Sequence, residues 1–170
     1  EAIPVIAEKL MKVTSHNFQH YKSSTLQRRI QRRMQVRKIA SVNQYIEHLT
    51  QNDDEIQALF RDLLIGVTAF FRDPEAFEAL RNQVLPKIFE NRDPNDNVRI
   101  WVAGCANGAE AYTMAILCRE VMDSLPTAPK VQIFATDIDE RSLAIARRGT
   151  YPLGIRDHIS PKRLKRFFVK

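Results

Sequence analysis

Apolar residues in the first third of the chain recur at helical spacing. Leu26, Ile30 and Met34 stand four apart and share one helical face, while Leu10, Val13 and Phe18 belong to shorter apolar patterns. Ser41 is placed to cap a helix through Tyr45, Ile46 and Leu49. Asp53 or Asp54 is placed to open another, carrying Ile56, Leu59, Phe60, Leu63 and Leu64. No Gly or Pro falls between Val5 and Ile65, so nothing interrupts a helical reading of residues 1–64.

Beyond Gly66 the pattern changes. Asp73-Pro74 opens a helix, with an acidic N-cap and proline at the first helical position. Its apolar face reads as Phe77, Leu80 and Val84, and Pro86 is expected to kink or split it before Ile88 and Phe89. Residues 92–97 have the composition of a turn. Residues 98–104 read as a buried strand and 109–123 as a helix with Ala111, Met114, Ala115, Cys118 and Met122 on one face. Residues 131–136 read as a second strand. Asp139 can cap a short helix that Gly149 closes, and Ser160-Pro161 starts one more.

Strand, helix, strand, helix is the opening of a parallel α/β sheet. The expected fold class is α/β: a small all-helical domain over residues 1–64, then a truncated Rossmann-like domain over 65–170 with two parallel strands visible. A sheet covered by helices on both faces normally has more strands, so the chain is expected to stop inside its second domain.

Composition narrows the class. With 44% hydrophobic and 27% charged residues in 170, the chain is that of a globular protein. It has no apolar run long enough to cross a membrane and no leader pattern. Cys105 and Cys118 form no CxxC, and a cytoplasmic location is expected. His16 and His20 are four apart but have no third ligand nearby, so no metal is expected. The net charge of +6 is unevenly placed: from Lys9 to Ile46 there are cations and not one acid. A solvated helix face would explain this, and so would an anionic partner.

The densest chemistry lies where the two strands end. Gly104-Cys-Ala-Asn-Gly108 joins the first strand to a helix, and its glycines let a ligand approach the backbone. Asp137, at the end of the second strand, can accept hydrogen bonds from both hydroxyls of a ribose. Ligands of open α/β sheets sit beyond the carboxyl ends of the strands, where both features point. A dinucleotide loop needs glycine where the chain has Ala106 and Ala109. S-adenosylmethionine carries no pyrophosphate and tolerates a looser loop. Glu110 is a second acid beside the loop. On these residues alone a second explanation stays open, in which Glu110 favours the helix N-terminus and Asp137 caps the next helix.

Three stretches carry a resemblance. Residues 21–34, YKSSTLQRRIQRRM, resemble the basic helix at the front of CheR methyltransferases, notably members fused to a methylesterase domain. Residues 67–73, VTAFFRD, resemble the segment between their helical and S-adenosylmethionine domains. Residues 104–113, GCANGAEAYT, followed by ATDID at 135–139, resemble their cofactor loop and second-strand acid. Two departures stand out: Ala109 and Ala111 replace the Glu and Pro of the usual G-E-E-P-Y-S loop, and Gly66 stands where Asn is frequent.

The resemblance implies methylation of receptor glutamates, with S-adenosylmethionine as donor and S-adenosylhomocysteine as product. It carries cofactor contacts to Thr68, Arg72, Glu110 and Asp137, alongside Gly104 of the loop, and it places Arg72 near the reacting centre. The family's later cofactor motif and active-site Tyr would lie beyond Lys170, so the chain alone is expected to be inactive and to self-associate through its incomplete sheet. Arg28, Arg29, Arg32 and Arg33 fall outside the apolar stripe and are expected to dock on an acidic helical segment of the receptor. A nucleic-acid-binding module is the rival reading, but residues 22–38 hold no aromatic to stack on bases, and no nucleic-acid partner or membrane insertion is expected. A third reading is a degenerate fold kept for protein contacts.

Overall fold

The computed structural model describes residues 2–64 and 66–169. The chain divides into two compact units, Glu1–Ile65 and Gly66–Lys170. The boundary residue Ile65 lies outside the described residues, as do Glu1 and Lys170.

The described residues of the first unit form four helices: α1 (Ala2–Thr14), α2 (Ser23–Arg37), α3 (Val42–Gln51) and α4 (Asp53–Leu63). The Leu26, Ile30 and Met34 stripe of α2 is buried, and joins Ile6, Leu10, Tyr45, Leu49, Ile56, Leu59 and Leu63 in one core. Helix α4 begins at Asp53, one of the two expected starts, and is capped by Asn52, whose side chain accepts from the Glu55 N–H. Ser41 precedes α3 without a side-chain capping bond.

Within this core lies a buried charge. The Glu55 side chain is fully buried, and Arg33 grips it with Nε at 2.9 Å and Nη2 at 2.8 Å. Arg37 Nε donates to Glu55 at 2.5 Å and the Tyr45 hydroxyl at 3.0 Å. Burial by itself would raise the Glu55 carboxyl, but the bonds from Arg33, Arg37 and Tyr45 outweigh it and hold it down at about 2. Burial, followed by the Glu55 charge, pushes the Tyr45 phenol up.

The second unit opens with α5 (Pro74–Ala79), which passes through a π-turn (Leu80–Val84) into α6 (Leu85–Phe89). Pro86 has no N–H to give and its ring crowds the preceding turn, so the wider π geometry precedes it, with Leu85 N–H bonded to the Leu80 carbonyl. The extra residue shifts the phase of the helix. Leu85 and Phe89 are therefore buried, while Val84, expected on the apolar face, is exposed, as is Ile88.

Strand β1 (Asn97–Ala103) pairs in parallel with β2 (Lys130–Thr136), Asn97 opposite Lys130 through Ala103 opposite Thr136. Parallel neighbours need a crossover, and α7 (Ala109–Met122) supplies it. Val98 and Val102 point to the helices and are buried; Trp101 on the other face is 69% exposed and Phe134 beside it 45%. The buried side of α7 is Ala109, Thr113, Ile116, Leu117, Cys118 and Val121. That corrects the expected face of Ala111, Met114, Ala115, Cys118 and Met122, of which only Cys118 is buried. This helix is apolar nearly all round, so its periodicity does not choose the side that meets the sheet. Helix α8 (Glu140–Arg148) follows, then a 3-10 turn (Leu153–Asp157) and α9 (Pro161–Phe167).

The Glu55 cluster makes the helical unit acid-sensitive. A carboxyl depressed in the folded state stabilises above its unfolded value of about 4.3, and that contribution fades as pH falls toward 2. Circular dichroism should show the unit losing helix in that window. Glu55→Gln should remove the dependence and cost about 3 kcal/mol at pH 7, because it strands the Arg33 guanidinium.

Candidate cofactor site

The site is built on the loop between β1 and α7. Five residues turn the chain from strand to helix, and three have left-handed backbone: Gly104 (φ 70°), Ala106 (φ 46°) and Gly108 (φ 89°). The ladder continues past the strands through Cys105 N–H to the Thr136 carbonyl at 3.0 Å. Asp137 then acts as a bracket: Oδ2 accepts from Ala106 N–H at 2.7 Å and Oδ1 from Asp139 N–H at 2.8 Å. Asp137 thus ties the loop to the end of β2, and the capping of α8 falls to Asp139, which accepts from Arg141 N–H at 3.1 Å.

Two further groups hold the loop. The Asn107 side chain accepts from Ala109 N–H at 3.1 Å, and the Tyr151 hydroxyl donates to the Asn107 carbonyl at 2.7 Å. Gly108 packs so tightly that a Cβ there would lie 2.8 Å from Ala146 Cβ and 3.1 Å from the Tyr151 oxygen. Gly104 is the opposite case, with nothing within 4 Å of an added Cβ. Its backbone therefore faces open space at the strand end, where a ligand can approach. An open cleft of about 450 Å³ runs beside the loop, lined by Cys105, Gly108, Ala111, Ala135, Asp137 and Leu143 among others. Burial, with the Asp137 charge adding to it, pushes the Cys105 thiol up, away from the reactive thiolate form.

The segment with Thr68 and Arg72 runs past the same loop. A side chain at Gly66 would touch Ala106 Cβ and Ser142 Oγ at 3.7 Å. Further on, the Phe71 N–H donates to Thr113 Oγ1 of α7 at 3.2 Å. Phe70 is buried against Tyr151 and Phe168, while Phe71 packs on Phe77 and under the Arg163 guanidinium, 4.3 Å from its ring centre. Thr68 is half-buried; Arg72 is exposed and donates to the Val67 carbonyl at 2.5 Å. Glu110 is exposed in the first turn of α7. Among the described residues no hydrogen bond joins Thr68, Arg72, Glu110 and Asp137 to one another.

Of the four α2 arginines expected to meet a receptor, Arg28 and Arg32 are exposed and Arg29 is half-buried, with an Nε that has no partner among the described residues. Arg33 departs from the expectation of an outward cation. Its side chain is 13% exposed and bound to Glu55, because an acid 22 residues further on folds back beneath it. Sequence reasoning passed over Asn107, Thr113 and Tyr151. The first two sit inside the 104–113 motif and could have been found there; Tyr151 carries no such signal.

Residues 66–170 match the family described as CheR methyltransferase, SAM binding domain, and residues 1–64 match its all-alpha domain. An uncharacterized 104.1 kDa protein of Rhodobacter capsulatus, from the region 3′ of hypE, is 38% identical over 99% of this chain and 18% of its own length. A chemotaxis protein methyltransferase of Borreliella burgdorferi is 34% identical over 85% of this chain and 54% of its own. Chemotaxis protein methyltransferase 2 of Pseudomonas aeruginosa is 31% identical over 97% and 57%. The chain spans about half the length of these two methyltransferases.

The crowding at Gly108 sets a test of the loop. Gly108→Ala should destabilise the second unit by about 1–3 kcal/mol, since it combines a strained backbone with a methyl group pressed on α8. Gly104→Ala, strained but unobstructed, should cost less. Thermal melts of both variants check the order.

Proposed function

The chain belongs to the CheR methyltransferase family, and on that premise we propose that it serves in methylating glutamate side chains of chemotaxis-type receptors. The observation that carries this reading is the bracket at the strand ends, where Asp137 holds the loop beside the open space at Gly104. The residues present fit S-adenosylmethionine. Asp137 uses one lone pair of each oxygen on a backbone N–H and keeps others for ribose hydroxyls. Gly104 admits the ligand to the backbone, Glu110 adds an exposed acid for its cationic and hydroxyl groups, and Thr68 adds a hydroxyl.

When bound, S-adenosylmethionine supplies an electrophilic methyl group on its sulfonium. A glutamate acceptor, with a pKa of about 4.3, is already ionised at neutral pH, so no residue of this chain has to act as a base. What remains for the protein is orientation and exclusion of water. Arg72 suits the orienting role, because its exposed guanidinium has donors beyond the one engaged at Val67 and can align the acceptor carboxylate.

Residues 1–64 are the receptor-recognising domain in this reading, and 65–170 carry part of the catalytic one. Arg28 and Arg32, one turn apart and exposed, with half-buried Arg29 beside them, present cations to an acidic helical segment of the receptor. Arg33 is withdrawn from this face by Glu55. The location is cytoplasmic; no helix among the described residues is long and apolar enough to cross a membrane. The pattern of residues 21–34 supports membership among forms joined to a methylesterase domain. The exposed Trp101 and Phe134 support self-association through the open sheet face. Neither the nucleic-acid reading nor the degenerate-fold reading has a specific observation in its favour.

In a longer protein that carries this chain, Asp137→Ala should weaken binding of S-adenosylhomocysteine at least about tenfold, from the loss of charge-assisted hydrogen bonds. Calorimetry giving equal affinity in a folded variant would remove Asp137 from the site. Arg28→Glu with Arg32→Glu should abolish salt-sensitive binding of an acidic receptor helix and leave S-adenosylhomocysteine affinity intact. Tight RNA binding by the unaltered chain, with no affinity for that helix, would favour the nucleic-acid reading.

A further inference from the structure

We infer that Thr113 is a positioning residue: its buried hydroxyl locks Phe71 in a left-handed backbone and thereby sets the direction of Arg72. The inference rests on the methyltransferase reading for its purpose, but not for its geometry. Thr113 is fully buried, one of two buried polar or charged residues among those described. Its hydroxyl donates to the Ala109 carbonyl at 2.8 Å, the usual way a helical threonine satisfies its proton. The same oxygen accepts from the Phe71 N–H at 3.2 Å. That second bond leaves the helix and reaches back 42 residues, to the segment that ends in Arg72.

Phe71 has φ 50°, a region that bulky L-residues rarely adopt. Such a residue persists only where its surroundings over-determine it. Three contacts do so here: the Thr113 hydroxyl on its amide, the Arg163 guanidinium over its ring, and Phe77 edge-on at 6.0 Å. Arg163 is itself held in place by a two-pronged bond to Glu120, both contacts at 2.8 Å. The ring contacts anchor the side chain. Only the Thr113 bond acts on the backbone amide, and the dihedral angle that this amide belongs to aims the next residue, Arg72. Without the hydroxyl the ring can stay buried while the backbone relaxes and Arg72 turns away.

Thr113→Val keeps the shape and removes the hydroxyl; Thr113→Ser keeps the hydroxyl. By amide hydrogen exchange, Phe71 in Thr113→Val should exchange at least about tenfold faster than in the unaltered chain, with Thr113→Ser restoring protection. Equal Phe71 exchange in Thr113→Val overturns the inference. So does a general loss of protection along α7, which would make Thr113 a packing residue. In a longer protein that carries this chain, with receptor peptide and labelled S-adenosylmethionine, Thr113→Val should lower kcat about tenfold at unchanged KM for the donor, and Thr113→Ser should recover it. A raised donor KM with kcat intact overturns the aiming of Arg72. If the longer protein neither binds nor uses S-adenosylmethionine, the methyltransferase reading falls, while the exchange comparison still decides whether Thr113 locks Phe71.

Discussion

The second unit depends on the bond between the Asp137 carboxylate and the Ala106 amide. A loop with three left-handed residues in five is costly, above all at Ala106, which has a Cβ to accommodate. It stands because a charge-assisted bond from outside the loop offsets that cost. The pairing of β1 with β2 places Asp137 one residue past Thr136, opposite the start of the loop. A one-residue slip would reverse the faces of β2 and carry the carboxylate off the Ala106 amide. The register of the strands and the shape of the site are therefore one constraint.

In the helical unit a second carboxylate has the reverse character. Glu55 is closed off from solvent, with two guanidinium groups and a phenol satisfying it, whereas Asp137 is half-buried and keeps acceptor capacity. A saturated buried carboxylate organises the α2, α3 and α4 contacts and has nothing left to offer a ligand. An open one is chemically available. Burial and remaining lone pairs separate the structural acid from the candidate site acid, and neither property is a matter of residue type.

Local signals were legible in the sequence. The Leu26, Ile30 and Met34 stripe, the two strands, the glycine loop and the acid after the second strand all follow from periodicity and turn chemistry within a few residues. What failed to show depends on distant partners. Arg33 lies outside the apolar stripe by angle, yet Glu55 draws it inward from another helix. Val84 and Ile88 fit a regular helix, but Pro86 adds a π-turn that rotates Leu85 and Phe89 into the core instead. Tyr151 belongs to no periodic pattern, and its role is visible only once α8 folds it back to Asn107.

The paired phenylalanines of the 67–73 segment show how packing and chemistry meet. Neighbours in an extended chain point to opposite sides, yet both rings must be sheltered within a short connector. Phe70 joins Ala109 and Ile159, while Phe71 also reaches the cluster around Leu85 and Leu117. The left-handed step at Phe71 resolves this and turns the chain toward α5 directly afterwards. Arg72 is consequently held at the surface beside a helix start, where a positive charge meets the wrong end of the macrodipole. Its own segment answers with one carbonyl, Val67, and Asp73 and Glu75 follow it in sequence. On the proposed reading, an incoming carboxylate improves the electrostatics of this spot. The same packing that shelters two aromatic rings thus leaves Arg72 exposed at the surface.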